Sequence, residues 1–386
     1  MSRTTATIEP GFHKLELRTA YGPVYRTVST APPRECTAQE VPIIDLQGIY
    51  GDLDERRKVA AQIKKAANEI GFFYIKNHGI GEDVIDAARR QAVNFFKQPM
   101  QAKELVTRAK SKYFNGYSPP RGSHASPSES KASDTRETLG WRYAPEYDPE
   151  PKDLDAIPPE VQPYIRGEEF VWEGTAHLPD FKQDVLRYWQ ACLTLSRRLV
   201  RVFALALDLA EDYFDRVTTY PGSDGVFNFY PGMTPEEIRN AGDEVGLGSH
   251  TDLQCFTLLW QDMSGGLQVL KGQEWLKVPP VEGTFVVNIG DYLMRLTNDR
   301  FVSTVHRVFN RSPHDRLSMP FFFGFNFNET CSVLPTCITD DNPAKYQPIT
   351  CGDWCQLRFK QSVIERWART RTDTWFLERS HSTDSA

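Results

Sequence analysis

The sequence lacks long hydrophobic runs. No segment of the 386-residue chain approaches the roughly 18 consecutive apolar residues that a membrane-spanning helix requires. The most hydrophobic stretch, Val202 to Leu209, is short and is followed by acidic residues. The first residues, MSRTTATIEPGFHK, contain no apolar core of a signal peptide. We therefore expect a chain without a membrane segment, located in the cytoplasm.

An excess of positive charge is also missing. The chain carries 45 Lys and Arg against 51 Asp and Glu, for a formal net charge of −6 and a pI near 5.8. This balance argues against nucleic acid or an anionic membrane as the main partner. The 7 cysteines are odd in number and scattered, so we expect reduced thiols rather than a disulfide framework. Cys351 and Cys355 have no second pair at a zinc-like spacing, and we interpret them as structural.

The composition, 40% hydrophobic and 12% aromatic, is typical of a globular protein with a sizeable core. Residues 1–40 show little periodicity and predict an irregular arm, whereas the Ser- and Pro-rich residues 118–135 predict a mobile loop or insertion. Helical periodicity predicts helical segments at residues 54–70, 84–96 and 180–214. We expect residues 1–220 to form an N-terminal helical region, with the arm and the insertion, packed on a core.

From Gly225 onward, short β-type runs alternate with turn signals. The predicted strands are Val226–Tyr230, Phe256–Gln261, Leu267–Leu270, Phe285–Ile289, Val305–Phe309 and Met319–Phe327, with two earlier ones near residues 41–46 and 71–75. Many short strands at this spacing predict a sandwich or barrel. The expected fold class is mainly β with flanking helices. Residues 221–386 would form the core, with a C-terminal helix, as one structural unit with residues 1–220.

One polar triplet, His250-Thr251-Asp252, precedes the apolar run that begins at Phe256. In an extended backbone residues i and i+2 point to the same side, so His250 and Asp252 can converge on one metal ion. The triplet alone decides nothing, because about one His-x-Asp/Glu is expected by chance at this composition. A turn before a core strand is the alternative interpretation.

A third ligand must come from elsewhere in the chain. Of the later histidines, His381 lies in a polar tail and His314 in a Pro-containing turn, whereas His306 lies in a β-type segment. Two imidazoles and one carboxylate on one face leave positions open, as in the facial triad of non-haem Fe(II) oxygenases. Zinc is usually held more completely, or with one water poised for hydrolysis.

Arg316 and Ser318 also share one face of a predicted strand. A guanidinium binds a carboxylate in a bidentate manner, and an adjacent hydroxyl adds a further hydrogen bond. The same parity places Phe322, Gly324 and Asn326 on the inward face. The phenylalanines predicted to face outward are Phe321, Phe323, Phe325 and Phe327. A surface salt bridge with Asp315 is the alternative role for Arg316.

The strand Val226–Tyr230 adds two polar side chains, since Asn228 and Tyr230 share one face. At this point the sequence resembles the isopenicillin N synthase-like Fe(II)/2-oxoglutarate-dependent dioxygenases. The resemblance spans most of the chain. It rests on VPIIDL, GFFYIKNHGI and Asp134-Thr135-Arg136-Glu137, and then on NFYP, GSHTDLQCFTLLWQD, GGLQVL, VVNIGDYLMRLTNDRFVSTVHRV and RLS in order.

The resemblance implies a double-stranded β-helix, or jelly roll, with iron inside it. The implied iron ligands are His250, Asp252 and His306. The implied 2-oxoglutarate-binding residues are Arg316, Ser318, Tyr230 and Asn228. Fe(II), 2-oxoglutarate and O2 would be the cofactor and co-substrates, with ascorbate as an accessory reductant.

The implied function is oxidation of a small specialised metabolite by hydroxylation, desaturation, ring closure or ring expansion, with release of succinate and CO2. Two alternatives stay open: an Fe(II) oxidase of the same fold that does not use 2-oxoglutarate, and a non-catalytic small-molecule binder. Aromatic residues in 113–121, in the 118–135 loop and in 354–367 are expected to line the cavity mouth and favour an apolar or aromatic substrate. We expect a monomer or a weak homo-oligomer.

Overall fold

The computed structural model describes residues 10–19, 22–120, 134–240 and 246–357. The strands within these ranges are β1 (Phe12–Thr19), β2 (Gly22–Ser29), β3 (Arg34–Glu35), β4 (Ile43–Asp45), β5 (Phe72–Lys76), β6 (Gly116–Ser118), β7 (Glu137–Arg142), β8 (Pro221–Tyr230), β9 (Leu247–His250), β10 (Phe256–Gln261), β11 (Leu267–Lys271), β12 (Glu274–Lys277), β13 (Phe285–Ile289), β14 (His306–Val308), β15 (Arg316–Asn326), β16 (Thr330–Cys331) and β17 (Ile349–Thr350). The helices there are α1 (Leu53–Glu69), α2 (Glu82–Phe96), α3 (Met100–Glu104), α4 (Phe170–Gly174), α5 (Phe181–Ala206), α6 (Pro235–Asn240) and α7 (Asp291–Leu296), and residues 351–357 are also helical.

Two sheets build the core. The larger sheet has eight strands in the order β4-β5-β13-β10-β15-β8-β7-β6, and the smaller has five in the order β3-β12-β11-β14-β9. Nearly all neighbours are antiparallel, although β4 with β5 and β3 with β12 are parallel. A cavity of about 390 Å³ is lined by residues of both sheets. The predicted fold class, mainly β with flanking helices around a jelly-roll core, is confirmed.

Helices cover the outer face of the larger sheet. Within the predicted helical segment 180–214, the 26-residue helix α5 spans Phe181–Ala206, with most of its apolar side chains buried, and residues 207–214 lie beyond its end. Its Trp189 ring packs against Phe321, and the Tyr188 hydroxyl donates a 2.8 Å hydrogen bond to the Met319 carbonyl. The outward parity predicted for Phe321 therefore holds, because this face of β15 is buried under α5. No helix in the described ranges has the length and apolarity to cross a membrane.

The described residues among the first forty differ from the irregular arm that the composition predicts. Strands β1 and β2 form an antiparallel hairpin in continuous register from Phe12 opposite Ser29 to Thr19 opposite Gly22. Leu15, Leu17 and Val28 are buried with Leu270, Trp275 and Val305 of the smaller sheet and the segment before β14. Alternation of apolar residues in LEL carries the strand signal. Only one short face of the hairpin is apolar, so the overall composition of residues 1–40 does not reveal these two strands.

The larger sheet joins strands from both halves of the chain. Strands β4 to β7 come before residue 220, and β8 begins at Pro221. β7 contains Gly140, with Glu137 at one end and Arg142 at the other, so its strand signal is weak. The division of the chain at 220 stays a prediction, and the strands crossing it position several side chains described below.

Candidate active site

Paired strands bring the two predicted histidine ligands together. His306 of β14 lies directly opposite His250 of β9, and their ring centroids are 4.3 Å apart. Asp252 follows β9 by two residues, and its Oδ1 lies 3.7 Å from His250 Nε2 and 3.8 Å from His306 Nε2. One ligand atom from each of the three residues falls within 4.8 Å of the others. In the described part of the chain, this is the one His/Cys/Asp/Glu group with metal-binding spacing.

Backbone carbonyls fix both imidazole rings. His250 Nδ1 lies 2.8 Å from the Gly248 carbonyl oxygen, and His306 Nδ1 lies 3.1 Å from that of Thr304. A carbonyl can only accept, so each Nδ1 carries the proton and each Nε2 presents a lone pair. Both Nε2 atoms face Asp252. This is the tautomer that a metal-binding histidine requires.

Two donors hold the other oxygen of the Asp252 carboxylate. Its Oδ2 accepts hydrogen bonds from Thr257 Oγ1 at 2.5 Å and from Asn288 Nδ2 at 2.7 Å. These partners come from β10 and β13, which are adjacent in the larger sheet. Oδ1 is thereby left facing the histidines.

Burial and charge set the protonation of His250 and Asp252. Burial, together with the neighbouring His306, lowers the pKa of His250 to about 3. Burial alone would raise the pKa of Asp252, but the adjacent histidines and the Asn288 and Thr257 hydrogen bonds lower it. A neutral imidazole and an ionised carboxylate are therefore ready at neutral pH, and these are the forms that bind a metal. The donor set of two nitrogens and one oxygen fits Fe(II).

Arg316 lies at a second polar centre of the same cavity. Its side chain is 1% exposed, and its guanidinium donates to the Gly265 carbonyl at 2.5 Å, to Gln261 Oε1 at 3.0 Å and to Ser318 Oγ at 3.3 Å. All three partners are neutral, and among the described residues Arg316 forms no ion pair. A buried cation without a carboxylate partner favours binding of an anion. The alternative pairing with Asp315 does not form, because that carboxylate binds Lys97 at 2.6 Å.

Asn228 and Tyr230 lie beside this centre, as their shared parity predicts. Tyr230 is opposite Arg316 in the sheet, and the guanidinium carbon lies 4.8 Å from the centre of its ring. Asn228 is opposite Ser318, with 3.5 Å between Asn228 Nδ2 and Ser318 Oγ. Asn228 Oδ1 also accepts a 2.9 Å hydrogen bond from Arg136. Both side chains line the cavity.

Cross-strand pairing arranges the cavity wall in rows. The Thr257 row consists of Asn288, Thr257, Phe322, Asp224 and Arg142, which are paired in that order across β13, β10, β15, β8 and β7. The Ser318 row consists of Gln261, Ser318, Asn228 and Thr138, paired in that order across β10, β15, β8 and β7. The rows lie four residues apart, about 13 Å along the strands. Leu259, Pro320 and Val226 line the cavity between them.

The predicted parity of β15 holds as far as Phe325, which packs against Phe214 outside the cavity, and fails at Asn326 and Phe327. Phe322 lines the cavity, as predicted. Asn326, predicted to face inward, instead bonds to Thr219 Oγ1 at 2.9 Å and accepts from the Tyr220 amide. Phe327, predicted to face outward, lines the cavity. The register of β15 against β8 shifts between Phe323 and Asn326, and such a bulge exchanges the two faces.

Several cavity residues were not singled out from the sequence. Those that hold the polar centres include Thr257 and Asn288, and those that add charge are Arg136, Arg142, Arg166 and Asp224. The position of each of these side chains in the cavity depends on strand pairing or on an irregular segment. Residue spacing in the sequence does not reveal such a position. Asp291 accepts hydrogen bonds from the hydroxyls of Thr251 and Ser303 and so braces the loop between the ligands.

Two predicted features of the cavity mouth fall partly outside the described residues. Of the 118–135 loop, residues 121–133 are not described, and of the 354–367 segment, residues 358–367 are not. Within the described part, Tyr113, Phe114 and Cys355 line the cavity. All seven cysteines are free, as expected.

Comparison with known protein families gives two matches along the chain. Residues 41–163 match the family described as the N-terminal region of non-haem dioxygenases in morphine synthesis. Residues 222–325 match the 2OG-Fe(II) oxygenase superfamily. The second match contains both histidines, the aspartate between them and the Arg316 centre.

Curated relatives and solved structures agree with these matches. The chain is 43% identical to the 2-oxoglutarate-Fe(II) type oxidoreductase ppzC of Metarhizium majus, covering 92% of this chain and 96% of the relative. It is 34% identical to the 2-oxoglutarate-Fe(II) type oxidoreductase hxnY of Emericella nidulans, covering 83% and 90%. Neurospora crassa T7H, solved in complex with alpha-KG and thymine, superposes with a TM-score of 0.69 at 25% identity, over 84% and 97% of the two chains.

Proposed function

Because the chain belongs to the family of 2-oxoglutarate- and Fe(II)-dependent dioxygenases, we propose that it oxidises a small apolar or aromatic specialised metabolite, with His250, Asp252 and His306 as the iron ligands. The enzyme class and the use of Fe(II) and 2-oxoglutarate follow from the family. The ligand assignment is supported by one observation, the convergence of three ligand atoms within 4.8 Å with both Nδ1 atoms tied to carbonyls. An oxidase that does without 2-oxoglutarate is not favoured by the relatives.

We assign the 2-oxoglutarate carboxylate that is distant from the metal to Arg316 and Ser318, with Tyr230 and Asn228 at its sides. Bound Fe(II) would supply the redox chemistry that couples O2 reduction to the conversion of 2-oxoglutarate into succinate and CO2. Arg316 would orient the co-substrate through its fixed guanidinium, since Gln261 and Gly265 already hold that group in place. The buried wall around it excludes water from the reaction.

Substrate class, location and assembly state also belong to this proposal. The apolar residues between the two rows and the rings of Phe322, Phe327 and Tyr113 suit an apolar or aromatic body. We propose a cytoplasmic enzyme, where seven free cysteines would stay reduced. We propose that it acts as a monomer or weak homo-oligomer.

Succinate production tests the function directly. Purified protein with Fe(II), 2-oxoglutarate and O2 should release succinate, slowly without substrate and faster with it. Protein stripped of metal with a chelator should release none, and added Fe(II) should restore the rate. O2 consumption and product oxidation without succinate would instead identify the 2-oxoglutarate-independent oxidase, and metal binding without any turnover would identify a non-catalytic binder.

Thr257→Val should weaken Fe(II) binding by about 10- to 100-fold, because it removes one of two donors that fix Asp252. Valine has nearly the shape of threonine, so packing is preserved. Thr257→Ser, which keeps the hydroxyl, should retain most of the affinity. Anaerobic equilibrium dialysis against Fe(II) measures both variants. Equal affinity in Thr257→Val and Thr257→Ser would mean that the hydroxyl does not position the ligand.

A further inference from the structure

Arg166 lines the cavity without a bound partner for its charge. Its guanidinium carbon lies 4.3 Å from the centre of the Phe327 ring. Among the described residues this guanidinium donates no hydrogen bond and forms no ion pair. Stacking on an aromatic face holds a guanidinium while leaving its N–H groups available. Arg166 is therefore placed to receive a ligand rather than to stabilise the fold through a pair.

A second arginine near it is held in place by the protein. Arg142 donates to the carbonyls of Tyr113 at 3.2 Å and Phe114 at 3.3 Å, and its Nη1 lies 3.5 Å from Asp224 Oδ2. Asp224 also accepts from Gln254 at 3.2 Å. Burial raises the pKa of the Asp224 carboxyl, and the charges of Arg142 and Arg166 oppose that rise. Both arginines thus lie close to Asp224, at one end of the Thr257 row.

The charges that line the cavity do not balance. Its described lining contains four arginines, Arg136, Arg142, Arg166 and Arg316, against two aspartates, Asp224 and Asp252, which leaves two positive charges in excess. Fe(II) and the 2-oxoglutarate dianion carry opposite double charges, so loading them would not remove this excess. The loaded cavity therefore favours an anion.

The row geometry separates the Arg142 and Asp224 end of the cavity from the co-substrate, whereas Arg136, which donates to Asn228, lies on the co-substrate side. Arg142 and Asp224 lie in the Thr257 row. Arg316 is paired with Tyr230, next to the Ser318 row, and the two rows are about 13 Å apart along the strands. Within the Thr257 row, Phe322 lies between Thr257, which holds Asp252, and Asp224. Two strand spacings separate Thr257 from Asp224, about 10 Å across the sheet. That distance is comparable to the length of an aromatic ring that carries a short side chain.

We propose that the substrate is a carboxylic acid whose carboxylate binds Arg166 and Arg142, with its apolar body over Phe322 and its far end toward the triad. This inference rests on the proposed function and names the substrate class of the same cavity. Asp224 acts as a positioning residue for Arg142. Arg166 can offer its guanidinium fork to a carboxylate, which accepts two hydrogen bonds from it. The guanidinium nitrogens of Arg142 already contact Tyr113, Phe114 and Asp224, so Arg142 adds positive charge and at most its remaining N–H groups.

Matched acids and amides test the inference. The probes are benzoate, phenylacetate, 3-phenylpropanoate and 2-naphthoate, each beside its carboxamide. Titration calorimetry follows their binding to protein loaded anaerobically with Fe(II) and saturating 2-oxoglutarate, so that the Arg316 centre is filled. We expect at least one acid to bind roughly tenfold or more tightly than its amide. Arg166→Gln should reduce that acid-to-amide ratio by roughly tenfold, and Arg166→Lys should retain most of it.

Arg187→Gln is the matched control, because Arg187 pairs with Asp83 on the surface, where both side chains are more than half exposed. It should leave the ratio unchanged. Acids that bind no better than their amides, an absence of binding by all four acids, or an unchanged ratio in Arg166→Gln would each overturn the inference. Failure of the wild-type protein to bind Fe(II) and 2-oxoglutarate would instead overturn the proposed function.

Discussion

Replacing His306 with alanine is expected to abolish stoichiometric Fe(II) binding and to lower the rate of succinate formation by about a thousandfold or more, equivalent to ~4 kcal/mol. His306 provides one of the two Nε2 atoms that face Asp252, and the Thr304 carbonyl fixes its tautomer. Without it, one nitrogen and one oxygen remain, too few to hold the metal. Anaerobic dialysis with metal analysis and a succinate assay measure the two effects.

A second variant and a control separate chemistry from folding. His306 packs edge-on against Phe72 at 5.3 Å between ring centroids, so alanine also leaves a cavity. His306→Gln fills more of that space and should lose the metal as well. His314→Ala, at an exposed position in the turn before β15, should behave as the wild type. One Fe(II) per chain at wild-type affinity in His306→Ala would contradict the ligand assignment.

Replacing Arg316 with glutamine is expected to raise the KM for 2-oxoglutarate by about a hundredfold or more. Losing the charged partner of a buried carboxylate typically costs about 2 to 5 kcal/mol. The substitution breaks no ion pair, because the three hydrogen-bond partners of Arg316 are neutral. The protein should therefore fold, and circular dichroism can check this. Fe(II) affinity without 2-oxoglutarate should change little.

Arg316→Lys should give an intermediate KM, since it keeps the charge and loses the fork geometry. Arg187→Gln serves again as the surface control. A KM for 2-oxoglutarate within threefold of wild type in Arg316→Gln would place the co-substrate elsewhere in the cavity. Such a result would leave the metal ligands untouched, because Arg316 contacts none of them.

The sequence predicts those site residues that lie close to one another along the chain. His250 with Asp252, and Arg316 with Ser318, follow from the two-residue period of extended backbone. His306 follows by elimination among the later histidines. Strand β10 and strand β13 match their predicted bounds because their apolar runs are continuous and end at turns.

The remaining features depend on contacts between distant segments of the chain, which the periodicity of a single segment cannot reveal. Thr257 and Asn288 reach Asp252 only because β10 and β13 pair in one particular register. Phe327 enters the cavity because of a register shift in β15, and Arg166 lies in an irregular segment. The β1–β2 hairpin was missed since its buried side is short. Tertiary pairing, rather than local propensity, fixes each of these.

The row arrangement of the wall has a consequence for laboratory evolution. Arg142, Asp224 and Phe322 come from three strands far apart in the sequence, yet none of them touches the Ser318 row. A combinatorial library restricted to these positions could therefore diversify which molecules the enzyme accepts while the co-substrate end keeps its wild-type residues. The opposite holds for insertions: one extra residue within β8 or β15 would turn every later side chain of that strand inside out. Within these strands, point substitution rather than length variation is the route by which the cavity can acquire new substrates.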